Sequence, residues 1–172
     1  MSAEEKIEQL LNDYGNSIFR MCFLYLKDYH LAEDAAQDTF IKAMYSYNSF
    51  QNRSSEKTWL TQIAINICKN MMRTNWFRLS RNELKDDIQN PKDSYEVIIE
   101  EDSISKAIMR LRTNDRKFIL LYYYQELSMR EIAQITGKSE NTVIQCVNRA
   151  RGRLKKILLE VGYDETFTKG ES

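Results

Sequence analysis

Apolar residues recur at steps of three and four along the first half of the chain. Ile7, Leu10, Leu11, Tyr14, Ile18, Cys22 and Tyr25 share one face of a helix at that period. Lys27-Asp28-Tyr29-His30 interrupts it, and a second helix is expected from about Leu31 to Tyr47. That helix would bury Ala32, Ala35, Ala36, Phe40, Ala43 and Met44, its small residues allowing a close approach to the first. The polar run from Asn48 to Ser55 is turn-prone, and Ser55 is placed to cap a third helix that carries Trp59, Leu60, Ile63, Ala64, Ile67 and Met71 inward. Together these make a helical domain of residues 1–81.

Between Ser80 and Ser103 the period fades around Pro91, the one proline in the chain, and residues 82–103 read as a linker with a short helical start. A second helical domain, residues 104–172, then begins. Ile104, Ala107, Ile108 and Leu111 form one short helix, and Asp115 opens another containing Phe118, Ile119, Leu121 and Tyr122. Ser128, with Glu131 three residues on, is a capping box. Gly137 is where a left-handed residue would stop the short helix Met129–Thr136. Ser139 caps the next helix, from Glu140 to about Val161. A short helix, a glycine turn and a second helix form a helix-turn-helix, with a bare helical hairpin as the alternative. The expected fold is all-α: two small helical domains joined by an acidic linker.

Composition agrees, since 5 Gly and 1 Pro in 172 residues disfavour a turn-rich β fold. No apolar run is long enough to span a membrane, and the N-terminus lacks a basic-then-apolar leader, so a soluble, cytoplasmic protein is expected. The 25 Lys and Arg balance 25 Asp and Glu, which argues against nucleic acid until the charges are placed in order. Residues 1–50 carry 8 acidic and 4 basic side chains, 51–85 carry 2 and 7, 86–104 carry 7 and 1, and 105–159 carry 4 and 12. Two basic blocks could therefore neutralise phosphates, or serve as solvated helix faces.

No enzyme emerges from the chemistry-bearing residues. His30 is the one histidine, with no partner at metal-ligand spacing. Cys22, Cys68 and Cys146 fall on helices, where cysteine serves as a small buried apolar residue. There is no glycine-rich phosphate loop and no nucleophile motif, so neither catalytic residue, metal, cofactor nor small-molecule substrate is expected. The second helix of the helix-turn-helix is better equipped. With Val143 and Val147 inward, Thr142, Ile144, Gln145, Asn148 and Arg149 lie outward. Gln and Asn can pair with adenine, Arg with guanine, and Ile144 can touch a thymine methyl. Arg151, Arg153, Lys155 and Lys156 suit phosphates.

Three stretches also resemble the extracytoplasmic-function (ECF) sigma factors of bacterial RNA polymerase. Residues 31–43, LAEDAAQDTFIKA, are similar to the family's AEDxxQxxFxxA signature. Residues 58–70, TWLTQIAINICKN, are similar to its TWLxxIAxNxxxN helix. Leu127-Ser128-Met129-Arg130-Glu131-Ile132-Ala133, Thr142-Val143 and residues 148–154 (NRARGRL) are similar to its region 4. The resemblance implies a non-catalytic factor that binds core polymerase and selects promoters. Asp34, Gln37 and Asp38 would dock on the coiled coil of the β′ clamp, with the β flap as a second contact. Phe50, Gln51, Asn52, Arg53 and Ser54 would form a pocket for a base of the melted −10 strand, beside Asn66, Lys69, Asn70 and Arg73. Trp59 is either a stacking surface for a base or a buried anchor, and Trp76 and Phe77 are open in the same way. Thr142, Ile144, Gln145, Asn148, Arg149, Arg151 and Arg153 would meet the −35 duplex. The acidic linker would thread the polymerase channels, and an anti-sigma factor, often membrane-bound, would mask the docking faces.

The chain departs from the family pattern in two places. Ile144 and Cys146 stand where basic residues are frequent, with an altered −35 preference as the consequence. Thr113-Asn114-Asp115 replaces a common proline, leaving Asp115 as the expected cap. Two other classes are open: a stand-alone helix-turn-helix regulator with an N-terminal dimerisation or sensing domain, and a helical adaptor that binds no DNA.

Overall fold

The computed structural model describes residues 1–81 and 103–162, the side chains of residues 75–81 excepted. The side chains of Trp76 and Phe77, and residues 82–102 of the expected linker, therefore lie outside what is described. The chain divides into two compact units, and every described element of regular structure is helical.

In the N-terminal unit α1 (Ala3–Leu26), α2 (Tyr29–Ser46) and α3 (Glu56–Arg81) pack pairwise around one core. Local chemistry sets the ends. Ser2 caps α1 through a reciprocal box with Glu5. Lys27 ends α1 in the left-handed conformation, its N–H donating to the Phe23 carbonyl. Asp28 accepts from the Leu31 N–H and opens α2 two residues earlier than the sequence period implied. Tyr29 and His30 thus belong to α2, and the connection shrinks to Lys27 and Asp28.

The core of this unit is Leu10, Ile18, Met21, Cys22, Leu24, Ala32, Ala35, Ala43, Leu60, Ala64 and Cys68, each nearly or wholly removed from water. Alanines on α2 let the helices approach closely. Buried hydroxyls are satisfied within their own helices, Thr39 donating to the Ala35 carbonyl and Thr61 to that of Lys57, both at 2.7 Å. Cys22 of α1 meets Cys68 of α3 inside this core. The hydrogen bond with Cys68 and burial push the Cys22 thiol well above its ordinary pKa. Two expected core residues are not there: Leu11 is 49% exposed and Met44 37%. Tyr14, Ala36, Trp59, Ile67 and Met71 are half-buried.

The C-terminal unit holds α4 (Ser103–Arg110), α5 (Thr113–Ile119), α6 (Met129–Thr136) and α7 (Glu140–Glu160), with α4, α5 and α6 all packed on α7. Ile104, expected inside, is 40% exposed, whereas Ala107, Ile108 and Leu111 are buried. α5 runs on into a π-helical turn, Leu120–Tyr124, where the Gln125 N–H reaches back five residues to the Leu120 carbonyl at 2.9 Å. Phe118, Ile119, Leu120 and Leu121 are buried in succession. The widened turn helps a run apolar on all sides to find cover.

Asp115 does not cap α5. It lies inside the first turn, buried, and accepts from Nη1 of Arg153 on α7 at 2.6 Å. Thr113, not Asp115, opens the helix, and its N-cap position is taken by Arg112 without a side-chain cap. The buried Arg116 donates to the Leu111 carbonyl at 2.7 Å, holding the α4–α5 connection.

The helix-turn-helix forms as its local sequence dictates. Ser128 and Glu131 make the reciprocal box at the start of α6. Gly137 ends α6 with φ 70°, a conformation that strains any residue bearing a Cβ. Ser139 accepts from the Thr142 N–H and opens α7.

Candidate functional surfaces

Three surfaces are left over once the cores are filled. The first is the outer side of α2. Asp34, Gln37 and Asp38 are all exposed, and Ile41 and Tyr45 continue the same stripe at steps of three and four. Ile41 is 51% and Tyr45 81% exposed. Beside them an open groove between α1 and α2 is lined by Leu11, Gly15, Phe19, Gln37, Phe40 and Ile41. Gly15 is part of its wall, and a Cβ there would come within 3.2 Å of Leu11 Cδ1. An acidic row continued by an apolar one suits a macromolecular partner bearing both cations and apolar side chains. Sequence reasoning found the polar half and missed Leu11, Ile41, Met44 and Tyr45. The available signal was a surplus: these helices carry more apolar residues than one packed face can hold.

The second surface lies at the start of α3. Phe50 ends the 3₁₀ turn Tyr47–Ser49 and stacks on Trp59, ring centroids 4.6 Å apart and planes at 24°. Tyr47 flanks both rings at 6.5 and 6.2 Å. One face of Trp59 is thus occupied by Phe50, which favours the anchor role over a free platform for a base. At the other end of the loop Ser55 accepts from the Thr58 N–H at 3.1 Å, and Glu56 pairs with Lys6 of α1 at 3.0 Å, raising the Lys6 pKa. Between these two braces Gln51, Asn52 and Arg53 are exposed, with Asn52 left-handed at φ 53° and Ser54 half-buried. Asn66, Lys69, Asn70 and Arg73 form one exposed stripe along α3, and Arg73 Nη2 donates to Asn70 Oδ1 at 3.2 Å. The structure thus presents four polar side chains along α3 and, ahead of its first turn, a polar loop held at both ends.

The third surface is the outward face of α7. Val143 and Val147 are buried as expected, and Ile144, Gln145, Asn148, Arg149, Arg151 and Arg153 are exposed. Thr142 is half-buried and its hydroxyl lies 2.9 Å from that of Ser139, inside the helix cap. Three arginines have partners within the unit. Arg149 Nη2 reaches Cys146 Sγ at 3.8 Å, Arg151 lies over the Tyr123 ring at 5.7 Å, and Arg153 holds Asp115. Cys146 itself is only 6% exposed and so looks inward. All three cysteines are buried. Among the described residues, no group of three or more His, Cys, Asp or Glu side chains is placed to hold a metal ion, and no helix is long and apolar enough to cross a membrane.

The family model of Sigma-70 region 2 matches residues 10–78, and that of Sigma-70 region 4 matches residues 101–154. The RNA polymerase sigma factor YlaC of Bacillus subtilis (strain 168) is 32% identical over 164 residues, 91% of this chain and 94% of the relative. The chain belongs to the ECF sigma factors. It is an alternative sigma factor that directs transcription. The ECF RNA polymerase sigma factor SigM of the same organism is 29% identical over 157 residues, 88% of this chain and 94% of the relative. Two solved structures share the fold. The sigma factor RpoE, in complex with the anti-sigma factor NepR from Bartonella quintana, aligns with a TM-score of 0.72 at 24% identity, over 90% of this chain and 97% of that one. CnrH, in complex with the cytosolic domain of CnrY, aligns at 0.66 and 21%, over 92% and 90%.

Sigma factors are non-catalytic initiation factors that bind core RNA polymerase and promoter DNA. The region 2 match accounts for the N-terminal unit, and no finding favours a stand-alone regulator or a DNA-free adaptor.

Proposed function

We propose that this ECF sigma factor divides promoter selection among the three surfaces. Asp34, Gln37 and Asp38 on α2 dock on the β′ clamp coiled coil of core polymerase, whose basic side chains complement their charge. Leu11 and Ile41 extend that contact with apolar area. The braced loop from Phe50 to Lys57 receives an unstacked base of the −10 strand, with Asn66, Lys69, Asn70 and Arg73 reading or holding the strand beside it. The outward face of α7 meets the −35 duplex, and the β flap holds the C-terminal unit on the enzyme.

Residues 1–81 and 104–172 act as the two functional domains and residues 82–103 as the acidic tether that sets promoter spacing. The chain works in the cytoplasm. Of the two solved structures that share the fold, one is a complex with an anti-sigma factor and the other a complex with the cytosolic domain of CnrY. We infer that an anti-sigma factor, membrane-bound or not, covers the α2 stripe of this chain until a signal releases it. The observation that carries the reading is the acidic-then-apolar stripe of α2, whose side chains serve no core.

The experiment is transcription from genomic DNA with purified core polymerase and the full chain, mapping the transcript starts. A recurrent pair of motifs at fixed spacing upstream of the starts is the expected result. Tight site-specific binding to duplex DNA without polymerase, with no transcripts when core is added, would overturn it.

A further inference from the structure

The base-reading end of α7 has an unusual composition. Its first two turns, Glu140 to Gln145, contain no Lys or Arg, and the first cation is Arg149. Arg149 in turn is drawn along the helix toward Cys146 Sγ at 3.8 Å. Asn141, Ile144, Gln145 and Asn148, spaced three, one and three residues apart, form the exposed stripe at this end. Glu140 is exposed in the first turn, where its charge complements the helix dipole.

Ile144 sits in the middle of that stripe and is 39% exposed. Neither local structure nor packing accounts for it. A β-branched residue is a poor helix former at a surface site, and the inward positions of α7 are filled by Val143, Cys146, Val147 and Ala150. Its flanking residues are amides, so it forms no part of an apolar patch for a protein partner. What remains apolar in the major groove is the thymine C5-methyl group, and the amides beside Ile144 are the side chains that pair with adenine edges.

We propose that Ile144 reads a thymine methyl in the −35 element, with Gln145 on an adenine edge next to it. This chain would then specify that step by methyl contact and amide pairing, where a basic side chain would select guanine. The inference rests on α7 being the −35 reader.

The test uses holoenzyme assembled from the full chain and core polymerase, on a promoter identified by mapping its transcript starts. Each −35 thymine is replaced in turn by uracil, which removes the methyl group and leaves base pairing intact. Burying one methyl corresponds to roughly three- to fourfold in an equilibrium constant. Open-complex formation by the native chain should fall by about that factor at one position. The same replacement should have a smaller effect with Ile144→Ala, whose shorter side chain covers less of the methyl, and Ile144→Arg should move the preferred base there towards guanine. Because uracil alters the DNA, the native chain alone provides one arm, and no variant needs to fold for it. If the holoenzyme initiates normally but no thymine-to-uracil change separates the native chain from Ile144→Ala, the inference is overturned. If the chain with core polymerase gives no specific starts at all, the sigma reading falls first and this inference with it.

Discussion

The pair formed by Asp115 and Arg153 shows how one residue's partner decides its meaning. Asp115 is buried, whereas Arg153 has a side chain that is 53% exposed. The two ends of this bond are therefore not equivalent. Replacing Asp115 by Asn removes a charge-assisted bond and returns a half-exposed guanidinium to water, a loss of roughly 1 kcal/mol. Replacing Arg153 by Ala strands a buried carboxylate, for which a fully buried pair would lose about 3–5 kcal/mol. Partial exposure of the arginine brings the expected loss down to about 2–3 kcal/mol. Chemical denaturation of the full chain, following the transition of the C-terminal unit, should rank Arg153→Ala below Asp115→Asn in stability. The opposite ranking would mean that Arg153 contributes little to the fold and is free for phosphate. Cys22 gives a second test, through pH. Its thiol keeps its proton more tightly in the folded chain, where it meets Cys68, than in the unfolded one. The unfolded state therefore ionises first, so stability is fully present below the ordinary thiol pKa of about 8.5 and falls above it. The slope approaches about 1.4 kcal/mol per pH unit for the one group. Urea unfolding at a series of pH values from neutral to alkaline should show that loss in the native chain and a shallower one in Cys22→Ala.

At the scale of elements, α6 depends on its two ends. It spans only Met129–Thr136, too short to persist alone, and Ser128 accepts from one of its orphan N–H groups, that of Glu131. Ser128→Ala should cost about 1 kcal/mol, and Gly137→Ala should cost a similar amount through its φ of 70°, both measured by thermal unfolding. Nothing lies within 4 Å of a Cβ placed at Gly137, so a loss there is backbone strain without a clash. These ends were readable from sequence because each cap is a contact over three or four residues between types with one preferred use. The same holds for Val143 and Val147, whose inward aim follows from their place after the Ser139 cap. Leu11, Met44 and Ile104 were not readable in that way. Each fits the helical period as well as its buried neighbours do, and the width of the face covered by another helix decides which stay dry. The Asp115–Arg153 bond spans 38 residues, and the Cys22–Cys68 contact links α1 to α3. Neither leaves a local trace in the sequence. The π-helical turn at Leu120–Tyr124 falls in a stretch expected to be an ordinary helix, and no local signal in the sequence separates the two. In the candidate surfaces, the outward direction of the polar residues other than Thr142 was legible from sequence, but the apolar half of the α2 stripe, the Phe50–Trp59 stack and the partners of Arg149, Arg151 and Arg153 depended on the fold.

At the scale of the whole molecule, equal numbers of acids and bases conceal an uneven arrangement. The acidic excess of residues 1–50 includes the exposed carboxylates of α2, and the basic excess of residues 105–159 includes the arginines and lysines of α7. A chain with no net charge is not drawn to duplex DNA at large by a long-range positive field, so its free form should bind promoter duplex weakly. Polymerase would then supply most of the affinity and the chain most of the choice. That division predicts that the two activities come apart by mutation. Asp38 is exposed on α2 and makes no contact in the core, so Asp38→Lys should fold as the native chain does. Reversing a charge at a complementary interface costs enough to weaken core binding by about tenfold or more, measured by fluorescence anisotropy of labelled chain with core polymerase. Asn66 is exposed on α3, and Asn66→Ala should leave that affinity unchanged. Its loss should appear one step later, as fewer permanganate-reactive thymines in the −10 region at saturating core. If Asn66→Ala weakened core binding and Asp38→Lys only reduced melting, the two surfaces would have to exchange roles. If both failed in core binding together, the N-terminal unit would act as a single docking surface and the −10 strand would be read elsewhere.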